Sequence, residues 1–477
     1  MNVSRKRTSN VNLSRRELLK CGLYGPAAAS LSPCLWLSGC GKRGGRKKER
    51  CNIVLISIDT LRRDHCSAYG YARDTTPTLN RFARQATSFD LAYAPTSTTG
   101  PTHASLFTGL YPIAHHVVRN GLQLSTKHET LAEVFKAQGY QTAAIVSSFV
   151  LDSKFGYAQG FAYYDDDFEF SQSTVHPTQR EGHRVDGAFD RRADYTTDRA
   201  ISWLKNRRRS NQPFFLFVHY FDPHDPYTPP QPFAGRFVPS NVHANSLKGY
   251  IGRYDAEIAF TDQQLANLLN ALKQMALEEQ TLVVIFSDHG EGLMNHGHMY
   301  HGVHIYEEAV RVPLLFRWPN RIPSGRVLSA PVELISLTPT ILGLMNIESD
   351  RHAFQTHSLA PSLRGETQLD PQQPIYLYRR YYKAGKVGRI PVKGDKFGIR
   401  TGSWKYIEGK EEKTEELFDL AAGPKEKTNL CSKFPKKAAQ LASQLAKWKQ
   451  RHVRKLSGQG KISKEDLERL KTLGYVE

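Results

Sequence analysis

The chain alternates short apolar runs with polar clusters and with longer amphipathic segments. Three apolar runs stand out, at 53–58, 214–218 and 281–286. Runs of this length without polar alternation are typical of strands that are buried on both faces. Helical segments separate them, at 129–138, 193–209 and 255–275. This alternation predicts an α/β fold, with an open and mostly parallel central sheet flanked by helices.

Polar residues follow each of the three predicted strands. Asp59 follows the first strand, a cluster from His219 to His224 ends the second, and Asp288 and His289 follow the third. Because open α/β sheets bind ligands at the carboxyl ends of their strands, we expect these side chains to lie together. Two carboxylates and one imidazole suit Zn²⁺ or Mn²⁺, and they suit Ca²⁺ less well. The sequence therefore predicts a metal site made by Asp59, Asp288 and His289.

A loop rich in Thr and Gly precedes Pro101, within residues 95–111. Proline followed by Ala-Ser-Leu-Phe predicts the first turn of a helix here. A hydroxyl at a helix N-terminus lies where the helix dipole favours an alkoxide or a tetrahedral anion. The alternative is an ordinary capping cluster, since Ser and Thr are common capping residues.

The strand pattern weakens after residue 345. Residues 350–372 form a connection rich in Pro, Gln and Ser, 374–420 contains short β segments, and 435–456 has helical spacing. The division predicts a catalytic domain at 51–345 and a linker with a C-terminal subdomain at 346–477. We expect the apolar stripe on the last helix (Leu441, Leu445 and Trp448) to pack in the core; membrane-surface contact is the alternative.

The basic charge lies at the two ends of the chain. The 477 residues include 65 Lys+Arg and 46 Asp+Glu, a formal net charge of +19. Residues 1–50 carry +10, residues 371–477 carry +13, and the segment between them carries −4. An acidic body argues against nucleic acid as the main partner.

The first fifty residues have the order of an export leader. Residues 14–20, Ser-Arg-Arg-Glu-Leu-Leu-Lys, resemble a twin-arginine signal, and Leu-Ser-Gly-Cys at 37–40 resembles a bacterial lipobox. We expect a signal peptide at 1–39, lipidation of Cys40 and a basic tether at 40–50. This predicts an exported cell-envelope lipoprotein, periplasmic or on the outer face and anchored in the membrane. A transmembrane anchor is the alternative, which Pro26 and Pro33 disfavour.

Cysteine content agrees with this interpretation. Of the six cysteines, Cys21 and Cys34 fall in the leader and Cys40 is the lipidation site. The three that remain allow at most one disulfide bond, so no disulfide framework is expected. They are Cys51, Cys66 and Cys431.

Several motifs in the same order resemble the sulfatase family of the alkaline phosphatase superfamily, over nearly all of 51–477. They include the block from Ile56 to His65, the loop 99–109, the blocks 221–227 and 287–292, and the later blocks 306–315, 402–406 and 416–420. The resemblance implies an alkaline-phosphatase-like fold, with a small antiparallel sheet and a helix in the C-terminal subdomain. It also implies an ester hydrolase with a divalent metal ion (Zn, Mn or Ca), one ion being favoured over two.

The departures from the family pattern concern its chemistry. Sulfatases use a Cys or Ser, converted to formylglycine, in the motif Cys/Ser-x-Pro-x-Arg. This chain has Thr99 at that position and His103 in place of the Arg. Thr60 replaces the second Asp of the first motif, and Ser147 and Phe149 fall near the family's Lys and His. Oxidation of a threonine would give a ketone, so the hydrated-aldehyde mechanism is not available.

The resemblance implies a role for each remaining residue. Thr99 becomes the nucleophile and a fourth metal ligand. His224 and His301 hold the transferred group or protonate the leaving group, with Asp222 as a further substrate contact. His103 replaces the Arg beside the nucleophile.

Three functions follow, and the sequence leaves the natural substrate and the oligomeric state open. The leading interpretation is a phosphoric mono- or diester hydrolase. The second is a sulfuric ester hydrolase that works without formylglycine. The third, of another class, is a catalytically idle envelope lipoprotein that binds a sulfated or phosphorylated glycan or lipid. The expected partners are the ester substrate and the membrane.

Overall fold

The computed structural model describes residues 51–168, 178–180, 183–185, 189–243, 245–348, 354–452, 466–468 and 470. The predicted signal peptide at 1–39, the tether at 40–50 and the lipidation site Cys40 lie outside these residues. Among the helices of the described part, none is long and apolar enough to cross a membrane.

The described residues form an alternation of strands and helices. The strands are β1 (Asn52–Ile58), β2 (Thr87–Phe89), β3 (Ala92–Tyr93), β4 (Gln141–Ile145), β5 (Tyr163–Asp165), β6 (Thr178–Arg180), β7 (His183–Val185), β8 (Phe214–Tyr220), β9 (Thr281–Ser287), β10 (Arg311–Val312), β11 (Leu314–Arg317), β12 (Arg326–Leu328), β13 (Val332–Glu333), β14 (Ile375–Val387), β15 (Ile390–Thr401), β16 (Trp404–Gly409) and β17 (Thr414–Asp419). The helices are α1 (Pro77–Ala83), α2 (Thr99–Thr108), α3 (Pro112–His115), α4 (Leu131–Ala137), α5 (Ala193–Asn206), α6 (Leu247–Gln274), α7 (Glu307–Val310), α8 (Leu337–Met345), α9 (Ala360–Leu363) and α10 (Pro435–His452).

The central sheet has eight strands in the order β12-β2-β11-β9-β1-β8-β4-β5. Strand β1 pairs in parallel with β8 on one side and with β9 on the other, while β11 runs antiparallel to its neighbours. Every residue of β1, β8 and β9 is buried, as their unbroken apolar runs predict. The expected mostly parallel α/β sheet is confirmed.

The pairing register places the polar strand ends side by side. Ser57 of β1 is opposite both His219 of β8 and Phe286 of β9. The residues that follow these strands leave the sheet at the same edge, so Asp59 and Asp288 come from adjacent strands. Parallel pairing in this register creates the candidate site.

Helix boundaries differ from the prediction where a capping residue decides them. Helix α6 begins at Leu247, eight residues before the predicted start at 255. The side chain of Ser246 accepts a hydrogen bond from the Gly249 amide, which stabilises this earlier first turn. Helix α4 begins as predicted to within two residues, after a capping box formed by Thr130 and Glu133.

The C-terminal subdomain contains the antiparallel sheet β14-β15-β16-β17 and helix α10. The stripe of Leu441, Leu445 and Trp448 is buried, and the Trp448 ring stacks on Tyr376 with 4.6 Å between ring centroids. The stripe therefore packs in the core, and the alternative of membrane contact by this face is wrong. Residues 453–456 of the predicted helix lie outside the described part. The thiols of Cys51, Cys66 and Cys431 are free.

Glu333 is a buried carboxyl that makes stability depend on pH. It accepts hydrogen bonds from the Tyr111 hydroxyl at 2.9 Å and from the Tyr376 amide at 2.8 Å. Burial raises the pKa of Glu333 to about 8, from an ordinary value of 4.5. Between these values the folded state binds a proton that the unfolded state has released, so this group lowers stability as pH rises from 4.5 to 8.

We expect Glu333→Gln to remove this loss, because glutamine stays neutral and keeps an acceptor for the Tyr376 amide. The free energy of unfolding of the variant, relative to wild type, should rise by about 2 kcal/mol between acidic and mildly basic pH. Urea unfolding at the two pH values measures the difference. An equal difference at both pH values would contradict the assignment.

Candidate active site

Four predicted residues converge at the carboxyl edge of the central sheet. Ligand atoms of Asp59, Asp288 and His289 all lie within 4.8 Å of one another, and all three residues are buried. The Nε2 atom of His289 is 3.6 Å from Asp59 Oδ1 and 3.5 Å from Asp288 Oδ2. The Thr99 hydroxyl is 3.1 Å from the same nitrogen. The predicted metal ligands therefore surround one point.

The chemistry of this cluster fits a divalent cation. Three carboxylate oxygens of the cluster have no hydrogen-bond partner among the described residues. They are both oxygens of Asp59 and Oδ2 of Asp288. Burial and the charge of Asp288 hold the pKa of Asp59 well above its usual range. His289 Nδ1 lies 2.9 Å from the Gly290 carbonyl and must donate to it, so the Nε2 lone pair faces the cluster. Orphaned carboxylates are costly in a protein interior unless a cation neutralises them.

Thr99 is the first residue of helix α2, two residues before the predicted start at Pro101. The amide of Gly100 donates to Asn120 Oδ1 at 2.8 Å, which fixes the first turn. A Cβ at Gly100 would come within 2.9 Å of Asn120 Oδ1 and of the Tyr157 hydroxyl, so a larger residue there would displace one of these side chains. The nucleophile candidate is thus held at a helix N-terminus, where the dipole favours negative charge.

His103 contacts the backbone of Thr99 and the side chain of Ser57, and not the Thr99 hydroxyl. Its Nδ1 is 2.8 Å from the Thr99 carbonyl and its Nε2 is 3.0 Å from the Ser57 hydroxyl. Burial lowers the pKa of His103 to about 3, so the ring is neutral, with Nδ1 donating and Nε2 accepting. Both nitrogens are thereby used, and no ring nitrogen is left for a substrate. In place of the role expected from the family's Arg, His103 is a positioning residue that links α2 to β1 by hydrogen bonds.

His224 and His301 form a row of imidazoles with His289. The ring centroids are 4.9 Å apart between His224 and His301, and 4.5 Å apart between His301 and His289. Burial lowers the pKa of His301 to about 4, so its ring is neutral. His301 Nδ1 is 3.4 Å from Glu291 Oε1, and His224 Nδ1 donates to the Asp225 carbonyl at 2.7 Å. These two histidines lie beside the cluster, and their contact with the transferred group stays a prediction.

Asp222 has its contacts elsewhere. Its Oδ2 accepts a hydrogen bond from the Ala193 amide at 2.7 Å, at the start of α5. Its other partner is the carboxyl of Glu257 on α6, and burial raises the pKa of Asp222 to about 6. The expected substrate contact is therefore replaced by a helix-capping carboxylate.

Two further polar residues lie at the site, and the sequence assigns a role to neither. His219 is fully buried, neither ring nitrogen has a partner among the described residues, and its Nε2 is 3.5 Å from Asp59 Oδ2. Asn120 holds the Gly100 amide, while its own Nδ2 has no partner in the described part. His219 directly follows an apolar run, and Asn120 lies in a loop without a motif. The position of His219 at the site follows from the strand register, and that of Asn120 from its contact with Gly100.

Comparison with known proteins identifies the family. The family model described as Sulfatase matches residues 51–347, which include Thr99 and the whole metal cluster. The chain belongs to the sulfatase family. A second model, described as N-sulphoglucosamine sulphohydrolase, C-terminal, matches residues 295–454 of this sulfatase-family chain.

Individual relatives of the sulfatase-family chain are distant. An N-acetylglucosamine-6-O-sulfatase of Bacteroides thetaiotaomicron is 25% identical, over 85% of this chain and 88% of the relative. Arylsulfatase K of Homo sapiens is 24% identical, over 87% of this chain and 85% of the relative. The solved phosphonate monoester hydrolase of Silicibacter pomeroyi shares the fold, with a TM-score of 0.71, 23% identity, and coverage of 84% of this chain and 96% of that one. Family membership makes the protein a hydrolase of ester bonds.

Proposed function

We propose that this protein is a metal-dependent hydrolase of phosphoric mono- or diesters that uses Thr99 as its nucleophile. One observation carries the proposal. A threonine hydroxyl stands at a helix N-terminus 3.1 Å from His289 Nε2, beside two carboxylates with orphaned oxygens. This is the position at which the family otherwise has formylglycine.

The chain's own residues account for the first chemical step. Asp59, Thr99, Asp288 and His289 would hold the metal ion, with His219 as an additional nearby donor. When bound, a divalent ion lowers the pKa of a hydroxyl and polarises an ester oxygen. Thr99 Oγ1 attacks phosphorus as its proton passes to the leaving oxygen, the bond from phosphorus to that oxygen breaks, the alcohol departs, and a phosphothreonine ester forms. The dipole of α2 stabilises the negative charge that accumulates beside its N-terminus.

The second step returns Thr99 to its free form. Water attacks the phosphothreonine, the bond from phosphorus to Oγ1 breaks, and phosphate or a phosphomonoester leaves. His224 and His301 lie beside the cluster, where their imidazoles can relay a proton between water and the leaving alkoxide. His103 keeps Thr99 in place but exchanges no proton with the substrate, because both of its nitrogens are engaged.

The identity of the nucleophile favours phosphoryl over sulfuryl transfer. A formylglycine hydrate releases sulfate by elimination, which regenerates the aldehyde. Threonine has a methyl group and a single hydroxyl on Cβ, so its sulfate ester has no such elimination. Hydrolysis of the covalent ester by water is the remaining route, and phosphodiesterases and phosphotransferases of this superfamily use a threonine in this way.

Sulfuric ester hydrolysis is the second candidate. It is favoured by the family match and by relatives whose names specify sulfatase activity, such as the N-acetylglucosamine-6-O-sulfatase and arylsulfatase K. In this case Thr99 would act without conversion to an aldehyde.

A matched panel of aryl phosphate, phosphodiester, phosphonate and sulfate esters separates the candidates. We expect kcat/KM for one of the phosphorus esters to exceed that for the sulfate ester by at least about tenfold. The activity should vanish with a chelator and return with Zn²⁺ or Mn²⁺. Faster turnover of the sulfate ester would select the second candidate. Full activity in the chelator would refute the metal-dependent mechanism.

A further inference from the structure

A cavity away from the candidate active site is lined by residues that precede 345 and by residues of the C-terminal sheet. Its volume is about 520 Å³, within the range of small-molecule sites. Leu91, Tyr93 and Arg311 line it from the catalytic domain, and Arg400 and Ser403 line it from the C-terminal sheet. None of the residues lining it belongs to the active site described above.

Arg400 is a buried cation that has no ion-pair partner among the described residues. Its side chain lines the cavity, and the residue is 4% exposed. Its Nε and Nη1 atoms are buried and have no hydrogen-bond acceptor among the described residues. In the described part of the chain, no carboxylate forms an ion pair with Arg400. A guanidinium stays charged at all physiological pH values, so this burial is unfavourable without an anion.

The neighbouring buried cations show the usual solution. Arg379, on the adjacent strand β14, is 2% exposed and pairs with Glu412 at 2.8 Å. Lys405, on β16, is fully buried and pairs with Glu426 at 2.9 Å and with Glu307 at 3.2 Å. Each of these cations has a carboxylate within the fold. Arg400 has a cavity instead.

The other charged groups of the wall are already paired. The Arg400 guanidinium lies 5.2 Å from the centroid of the Tyr93 ring, whose hydroxyl donates to Glu307. Arg311 brings a second guanidinium, which donates to the Asp90 carbonyl at 2.9 Å and pairs with the carboxylates of Asp90 at 3.6 Å and Glu307 at 4.0 Å. Glu307 also pairs with Lys405. Among the charged side chains that line the cavity in the described part of the chain, Arg400 is the one without an ion pair.

We infer that this cavity binds the anionic group of a small molecule: a sulfate, phosphate or carboxylate. Arg400 pairs with its oxygens, since a planar guanidinium binds such groups through parallel hydrogen bonds. The cavity is several times larger than one inorganic anion, and Leu91 and Tyr93 offer apolar contact for the rest of the ligand. The inference is independent of the reaction proposed for Thr99.

The test is thermal unfolding of metal-loaded protein in sulfate, phosphate or acetate, against chloride at equal ionic strength. Sulfate and phosphate also stabilise proteins by exclusion from their surface, and that effect grows steadily with concentration. Wild type should add a rise in Tm that follows ln(1 + L/Kd), where L is the anion concentration, curving over above Kd where exclusion stays linear; this curved component is termed the saturating phase. Arg400→Gln should lose the saturating phase, with at least a tenfold weaker apparent Kd, and should retain hydrolytic kcat/KM.

Arg379→Gln is the matched control, because it removes a buried arginine that has a partner. It should lower Tm in every salt and keep the saturating phase. The order among sulfate, phosphate and acetate then distinguishes tetrahedral from carboxylate ligands. The inference is overturned if Arg400→Gln shows the same saturating rise as wild type, or if wild type shows only the steady effect of exclusion.

Discussion

Thr99→Ala is expected to lower kcat/KM for the preferred ester by about 10³- to 10⁶-fold, as loss of a covalent nucleophile does in other hydrolases. The substitution removes the proposed attacking oxygen, which is also one proposed donor atom of the metal site. Its only other change is the loss of one methyl group. Steady-state kinetics on metal-loaded protein measures the loss. Rapid acid quenching and mass spectrometry of wild type should show the mass of a phosphoryl group on the peptide that contains Thr99.

Two variants separate chemistry from stability. Thr99→Ser keeps the hydroxyl and should retain activity to within about tenfold of wild type. Thr108→Ala removes another buried hydroxyl of α2, one that donates to the Ala104 carbonyl at 2.7 Å, and should leave kcat/KM unchanged. If Thr99→Ala keeps wild-type kcat/KM, Thr99 is not the nucleophile.

Asp59→Asn is expected to change stability in opposite directions with and without metal. In metal-free protein two buried carboxylates, Asp59 and Asp288, face each other without hydrogen-bond partners for three of their oxygens. Neutralising one of them removes like-charge repulsion and a desolvation penalty, so the metal-free variant should unfold at a higher temperature than metal-free wild type. Wild type should gain about 2.7 kcal/mol at a metal concentration of 100 Kd, and the variant should gain much less.

Calorimetry with and without added Zn²⁺ or Mn²⁺ tests whether the effect of Asp59→Asn on the unfolding temperature changes sign. Asp194→Asn is the control, because Asp194 pairs with Arg192 at 2.6 Å outside the cluster and should leave the metal-dependent gain intact. An Asp59→Asn variant with the full metal-dependent gain would remove Asp59 from the ligand set. Destabilisation in both states would show that the two carboxylates do not repel in metal-free protein.

The sequence predicts the centre of the sheet because strands buried on both faces must be apolar throughout. Strands β1, β8 and β9 therefore show themselves as unbroken runs. The strands of the separate sheet β10-β3-β13, such as β3 and β10, have two residues each and carry no periodicity. Their pairing depends on contacts that are distant in sequence, as does the placement of β1 between β8 and β9.

The site follows the same division. Asp59, Asp288 and His289 are predictable because strand ends are fixed by the apolar runs that precede them, and Thr99 follows from the family motif. The orientation of side chains is not predictable in this way. His103 and Asp222 have residue types that suit catalysis, but hydrogen bonds to Ser57 and to the Ala193 amide use their polar atoms. His219 belongs to an apolar run, and its position beside Asp59 emerges only from the register of β8 against β1.

The bridge that His103 makes between Ser57 and the Thr99 carbonyl has a mechanical consequence. Ser57 lies two residues before Asp59, so one imidazole links the strand that carries a proposed metal ligand to the helix turn that carries the proposed nucleophile. Two hydrogen bonds to the same ring restrain the position of the helix turn relative to the strand. Little structural reorganisation is then required when the substrate arrives, and in such a site a displacement of a single ångström is enough to slow the reaction severely.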